Sequence, residues 1–192
     1  MRVALSEMRM KGAKAVFLDL NGTLVMPISA QSLEDLVELR GVRDAVGRLI
    51  EAGFVCPVIT VQSRIAKGIY SQAQFGEWFE TFRSRWLSDG IPLLGPYVCP
   101  HRFHSGCRCA KPQPELYLRA CQELRLDPSR CFVIGDSATD VFAARNIGAR
   151  GCLVLTGNGL KGREACQQDA FVVGRDLADV VARLLERADA MQ

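Results

Sequence analysis

Short apolar runs rich in β-branched residues recur along this chain of 192 residues, alternating with stretches whose apolar residues return at helical spacing. The runs at 15–18, 55–60, 97–98, 131–134, 152–155 and 171–173 read as buried strands, because unbroken hydrophobicity suits a strand covered on both faces. Segments 42–52, 72–87, 114–124, 140–147 and 177–187 read as helices. Val46, Leu49 and Ile50 share one helical face, Phe75, Phe79, Phe82 and Trp86 another, and Pro114 suits a first helical position. Repeated β-α alternation is satisfied by a doubly wound parallel sheet with helices on both sides, so the expected fold class is α/β. The length suffices for a full core and no linker divides it, so residues 1–192 are expected to form one domain.

Sheets of this type gather ligands at the carboxyl ends of their strands. Asp19 and Thr60 end the first two runs, Lys111 lies in the loop beyond the third, and Gly135-Asp136 follows the fourth, with Asp140 a helical turn later. Taken singly these are ordinary: Asn21-Gly22 suits a hairpin turn, Asp136-Ser137 a helix cap, and Lys111 a solvated charge. Taken in order, Asp-x-x-Gly-Thr, Thr, Lys and Gly-Asp-x-x-x-Asp form the layout of an enzyme that passes a phosphoryl group through an aspartate. Two carboxylates, a main-chain carbonyl and water make an oxygen shell suited to Mg²⁺, which offsets phosphate charge and lets anionic Asp19 approach. Thr60 offers a hydroxyl and nearby amides to phosphate oxygens, and Lys111 holds the reacting groups together.

The cysteines fall into groups. Cys56, Cys121, Cys131 and Cys152 sit in apolar patterns, where reduced cysteine behaves as a small hydrophobe, whereas Cys166 lies in a polar stretch. Cys99, Cys107 and Cys109 cluster with both histidines in the loop 99–109. Cys-x-His followed by Cys-x-Cys supplies four ligands for a tetrahedral Zn²⁺: Cys99, His101, Cys107 and Cys109. A closed Cys₃His set leaves no open position, so this zinc is expected to be structural and to position Lys111. His104 reads as a polar loop residue facing solvent or substrate.

Charge and hydropathy exclude other roles. A net charge of +3 with scattered basic residues gives no nucleic-acid footprint. No apolar run reaches membrane-spanning length, and the basic first residues lack the apolar stretch of a signal peptide. The expectation is a soluble, cytoplasmic monomer whose partner is a small phosphorylated metabolite.

From about Lys14 to Gly157 the chain resembles the haloacid dehalogenase (HAD) superfamily of phosphatases, in subfamily IIIA, the branch that holds heptose bisphosphate and histidinol-phosphate phosphatases. The resemblance rests on the motifs above, on Gly41-Val42-x-x-Ala45, on Thr60-x-Gln62-Ser63-x-Ile65-Ala66-x-Gly68, on the cysteine loop and on Lys111-Pro112-x-Pro114. It implies a HAD-like sheet with a small zinc-loop insertion and no large cap domain. It also implies Asp19 as nucleophile and Mg²⁺ ligand, the Asn21 main-chain carbonyl and Asp136 as further Mg²⁺ ligands, Thr60 as phosphate binder and Lys111 as charge stabiliser. Gln62, Ser63 and Asp140 fall among its substrate-side and supporting positions. The spacing from His101 to Cys107 is short, as in the histidinol-phosphate members.

Several positions depart from the branch: Leu20 for Arg, Val61 for Asn, Arg64 for Gly, Ala110 for Arg and Ser137 for Lys. Asn21 is the gravest, because the branch carries there the aspartate that protonates the leaving oxygen and then deprotonates the attacking water. Losing a positioned acid–base group typically lowers a rate by about 10²–10⁴. Two accounts follow: an attenuated phosphohydrolase or phosphotransferase, or a relative that only binds a phosphorylated ligand or a partner. A single engineered Asp→Asn exchange does not explain the accompanying departures. Asn-Gly is also a deamidation-prone pair, so a trace of activity is expected if some Asn21 converts to aspartate.

Overall fold

The computed structural model describes residues 13–103 and 105–190; the readings made for the basic first residues and for His104 lie outside the described residues. In chain order the elements are β1 (Val16–Leu18), β2 (Val25–Met26), β3 (Val37–Glu38), α1 (Val42–Glu51), β4 (Cys56–Val61), α2 (Ser63–Ala66), α3 (Gln72–Ser88), β5 (Leu93–Cys99), α4 (Glu115–Leu124), β6 (Phe132–Gly135), α5 (Ala138–Ile147), β7 (Arg150–Val154), α6 (Gly159–Cys166), β8 (Val172–Gly174) and α7 (Leu177–Asp189). Six strands form one sheet in the order β5-β4-β1-β6-β7-β8, and every pairing in it is parallel. β2 and β3 make a separate antiparallel pair.

Side-chain alternation sorts the core into two faces. Val16 and Leu18 join Val58, Ile134 and Val154 under α1, α3 and α7, whereas Phe17 joins Ile59 and Val133 under α4 and α5. Each fully buried residue of this kind contributes about 1.5–3 kcal/mol. α3 begins at a capping box in which Ser71 Oγ accepts from the Gln74 amide and Gln74 Oε1 accepts from the Ser71 amide. It buries Phe75, Phe79, Phe82 and Trp86, as their spacing predicts.

The chain leaves β1, builds β4 and β5 on one side, and then crosses back to β6 on the other. The crevice beyond the carboxyl ends of β1, β4 and β6 is therefore the topological switch point, where such sheets bind ligands. Between β1 and α1 the only strands are β2 and β3, so no large cap covers the crevice.

Some elements differ from expectation. Pro114 occupies the N-cap, one residue before α4 begins. β5 is longer than residues 97–98 because Gly95-Pro96 masks its apolar pattern. β2 and β3 are too short to show a period. α6 was hidden by its glycines: a Cβ on Gly159 would lie 1.9 Å from the Val154 carbonyl oxygen, so the close packing of α6 on β7 requires glycine. Cys166, in what reads as a polar stretch, is buried against Val141 and Leu153. Cys56, Cys121, Cys131 and Cys152 are buried free thiols, as expected.

Candidate active site

Asp19 directly follows β1, and the chain then folds into a tight turn in which the Leu24 and Val25 amides both donate to the Leu20 carbonyl. Gly22 holds a positive φ of 93°, and a Cβ there would stand 2.1 Å from Asp136 Oδ2. Only glycine lets the turn after β1 approach the carboxylate that follows β6. Gly22 N–H donates to the Val25 carbonyl at 2.8 Å, and Thr156 Oγ1 donates to the Gly22 carbonyl at 2.5 Å.

Lys111 reaches into this floor from the loop beyond β5. Its Nζ lies 2.6 Å from Asp19 Oδ1 and 2.6 Å from Asp140 Oδ1, with its side chain only 4% exposed. Burial alone would lower the Lys111 pKa, but the two carboxylates hold it well above its ordinary value. The Tyr117 hydroxyl is buried and meets no hydrogen-bond geometry among the described residues. Asp136 accepts from the Asn158 amide at 2.7 Å. Three buried carboxylates thus meet one ammonium. Burial, against the pull of Lys111 and with repulsion from Asp140 and Asp136, pushes the Asp19 pKa up to about 7. Burial likewise raises Asp136 to about 6, against the opposing pull of the Asn158 amide.

That excess of buried negative charge is the donor chemistry a hard divalent cation completes, and the Asn21 main-chain carbonyl accepts no hydrogen bond among the described residues. Asp19, Asp136 and the Asn21 carbonyl therefore fit the oxygen shell expected for Mg²⁺.

The Asn21 side chain is held from across the cleft. Gln62 Nε2 donates to Asn21 Oδ1 at 2.8 Å and to Thr60 Oγ1 at 2.9 Å, while Tyr70 OH donates to Gln62 Oε1 at 2.7 Å. Both ends of the Gln62 amide are thereby engaged. Asp19, Asn21, Thr60, Ser63, Lys111, Asp136 and Asp140 all line one cleft of about 440 Å³, and Gln62 sits behind it as a brace. Sequence reasoning missed Tyr70, Asn158 and Thr156. Thr156 and Asn158 have partners distant in sequence, and Tyr70 bonds Gln62 eight residues away with no helical period to mark it; only the position of Thr156 and Asn158 beyond β7 gave a signal.

The cysteine loop forms a separate cluster at the end of β5. The ligand atoms of Cys99, His101, Cys107 and Cys109 lie within 4.8 Å of one another. Cys99 Sγ is 3.7 Å from Cys107 Sγ and 3.7 Å from His101 Nδ1, which is 3.2 Å from Cys109 Sγ. A tetrahedron built on zinc–sulfur bonds of about 2.3 Å has edges of about 3.8 Å, so these spacings fit one Zn²⁺. Lys111 is two residues from Cys109, and Ala110 between them lines the cleft.

Known proteins are similar to this chain in sequence and in fold. The chain is 32% identical over 184 residues to the D-glycero-β-D-manno-heptose-1,7-bisphosphate 7-phosphatase of Haemophilus ducreyi, an alignment covering 88% of this chain and 97% of that protein. Its identity to the Escherichia coli K12 protein of the same name is 33% over 157 residues, covering 77% and 82%. A crystal structure of D,D-heptose 1,7-bisphosphate phosphatase from B. bronchiseptica, complexed with magnesium and phosphate, matches with a TM-score of 0.82 at 29% identity. That match covers 91% of this chain and 99% of the other. Residues 108–180 also match the family described as HAD-hydrolase-like. The chain belongs to the HAD-like hydrolases, in the family of these heptose bisphosphate phosphatases.

Proposed function

We propose that this protein is a Mg²⁺-dependent phosphatase that hydrolyses a small phosphomonoester of the sugar bisphosphate type through an aspartyl phosphate on Asp19, more slowly than its relatives because Asn21 replaces their acid–base aspartate. The observation that carries the reading is the Asp19 carboxylate at the mouth of β1, 2.6 Å from the buried Lys111 ammonium. The names of the relatives support the substrate class.

Lys111 aims Asp19 and favours its ionised form against the pull of burial, and Asp140 holds Lys111. Thr60 and Ser63 line the cleft with Asp19 and would bind oxygens of the transferred phosphoryl group. One Asp19 oxygen attacks phosphorus as the bond to the ester oxygen breaks; Asp19, Asp136 and the Asn21 carbonyl would hold Mg²⁺, which would supply charge neutralisation at the phosphoryl group. The departing alkoxide needs a proton, which an amide does not give. Water then attacks the phosphorylated Asp19 and must lose a proton, which an amide does not take. Both steps fall to solvent. A purely ligand-binding role has no support in the site, where nucleophile, lysine and metal carboxylates all converge.

The cysteine loop is proposed to hold a structural Zn²⁺ that fixes the chain leading to Lys111. Among the described residues no helix is long and apolar enough to cross a membrane, and a cytoplasmic, monomeric, one-domain enzyme is proposed. The test is phosphate release from D-glycero-β-D-manno-heptose 1,7-bisphosphate by the purified chain. Turnover that requires Mg²⁺ and disappears in Asp19→Ala is expected. Turnover retained by Asp19→Ala would overturn the mechanism.

A further inference from the structure

The cleft carries positive charge that the chemistry above does not use. Lys111 is fully engaged by Asp19 and Asp140. Arg64 in α2 and Lys67 just after it line the same cleft, and neither forms an ion pair among the described residues. Arg64 is half-buried, and its Nε donates to the Ala30 carbonyl in the connection between β2 and β3. This bond orients the guanidinium, and among the described residues both terminal nitrogens are left for another acceptor, the pair that grips two oxygens of one anion. Lys67 is exposed, so its charge is more mobile and more heavily hydrated. Ile28, Val61, Ala110 and Pro112 give the cleft an apolar wall, and the 61% exposed Phe103 ring also lines it.

The cleft therefore has a floor at Asp19, Thr60 and Ser63 and a cationic side at Arg64. A surface suited to a carbon skeleton accompanies them. We propose that Arg64, assisted by Lys67, binds a second anionic group of the substrate and so makes the enzyme select phosphomonoesters that carry one. The proposal rests on the phosphatase reading above and names the residue that sets its substrate preference.

The test compares kcat/KM for D-glycero-β-D-manno-heptose 1,7-bisphosphate and the corresponding 7-phosphate, in the unaltered chain and in Arg64→Met, which keeps the length of the side-chain stem. Charge-assisted hydrogen bonds of this kind are worth about 10- to 100-fold in binding. Arg64→Met is expected to lose about that factor on the bisphosphate, chiefly through KM because this contact binds ground and transition states alike, and to lose several-fold less on the monophosphate. Arg64→Lys is expected to recover part of the loss, and Lys67→Met to show a smaller one. Equal losses on both substrates, or an unchanged ratio, would overturn the assignment.

Absence of any Asp19-dependent hydrolysis would instead defeat the phosphatase reading. Calorimetric binding of the bisphosphate then decides the role of Arg64: weaker binding by Arg64→Met upholds it, and equal binding overturns it.

Discussion

Replacing Asn21 by aspartate is expected to speed turnover by about 10²–10⁴, the usual worth of a positioned acid–base group. On the barrier this corresponds to about 3–5 kcal/mol. The structure indicates that the carboxylate would arrive already placed. Asn21 Oδ1 is fixed by Gln62 Nε2 at 2.8 Å, and Gln62 is fixed in turn by Tyr70 and Thr60. Exchanging Nδ2 for oxygen keeps that bond and frees the second oxygen for proton transfer, while the main-chain carbonyl offered to the metal does not change. A fourth carboxylate beside Asp19, Asp136 and Asp140 raises its own pKa, which suits a group that must hold and release a proton near neutrality. The substitution separates the two chemical steps. With p-nitrophenyl phosphate, whose leaving group needs no acid, the unaltered chain is expected to release a rapid burst of one nitrophenolate per site and then slow to the rate of phosphoenzyme breakdown. Asn21→Asp is expected to abolish the burst and raise the steady rate. An Asn21→Asp protein that folds with an unaltered melting temperature but gains no turnover would refute the reasoning.

The metal-free site should respond inversely to pH. The carboxyl of Asp19 rises from its ordinary 3.8 to about 7 on folding, so across this window the folded state holds a proton that the unfolded state has released. Stability of the metal-free protein therefore falls as pH rises from about 4 to 7, and melting curves with and without chelator measure it. Over the same window Mg²⁺ affinity rises with pH, because the metal must displace that proton; calorimetry in buffers of different ionisation enthalpy counts the release. Elemental analysis of the unaltered chain is expected to find one zinc equivalent, and Cys107→Ser is expected to lose it and to lower both the melting temperature and kcat through Lys111. Asn21 is expected to persist as an amide in the folded protein, because Gly22 N–H, the nucleophile of deamidation, is bonded to the Val25 carbonyl and the Asn21 amide is held by Gln62. Peptide mapping after mildly alkaline incubation should find aspartate at position 21 only where the chain was first unfolded in urea.

The sheet was legible because buried parallel strands leave unbroken apolar runs such as Val16-Phe17-Leu18 and Val133-Ile134. The site residues at strand ends were legible for the same reason, since locating β1, β4 and β6 locates Asp19, Thr60 and Asp136. Illegible were contacts with no local period. Tyr70 bonds Gln62 around the short α2, Gln62 reaches Asn21 across 41 positions, and Arg64 reaches Ala30 across 34. The glycines of α6 look like helix breakers in sequence, yet Gly159 is what brings the helix against β7. Such residues are selected by the distance between two backbones, which no single segment records.

The central claim is a phosphoryl group carried by Asp19. Rapid acid quenching during turnover of p-nitrophenyl phosphate, followed by digestion and mass spectrometry, tests it directly. The account predicts one phosphoryl group on the peptide containing Asp19, near one equivalent per chain, absent from Asp19→Ala and scarce in Asn21→Asp, where breakdown is fast. Steady turnover by the unaltered chain with no phosphate on that peptide would contradict it.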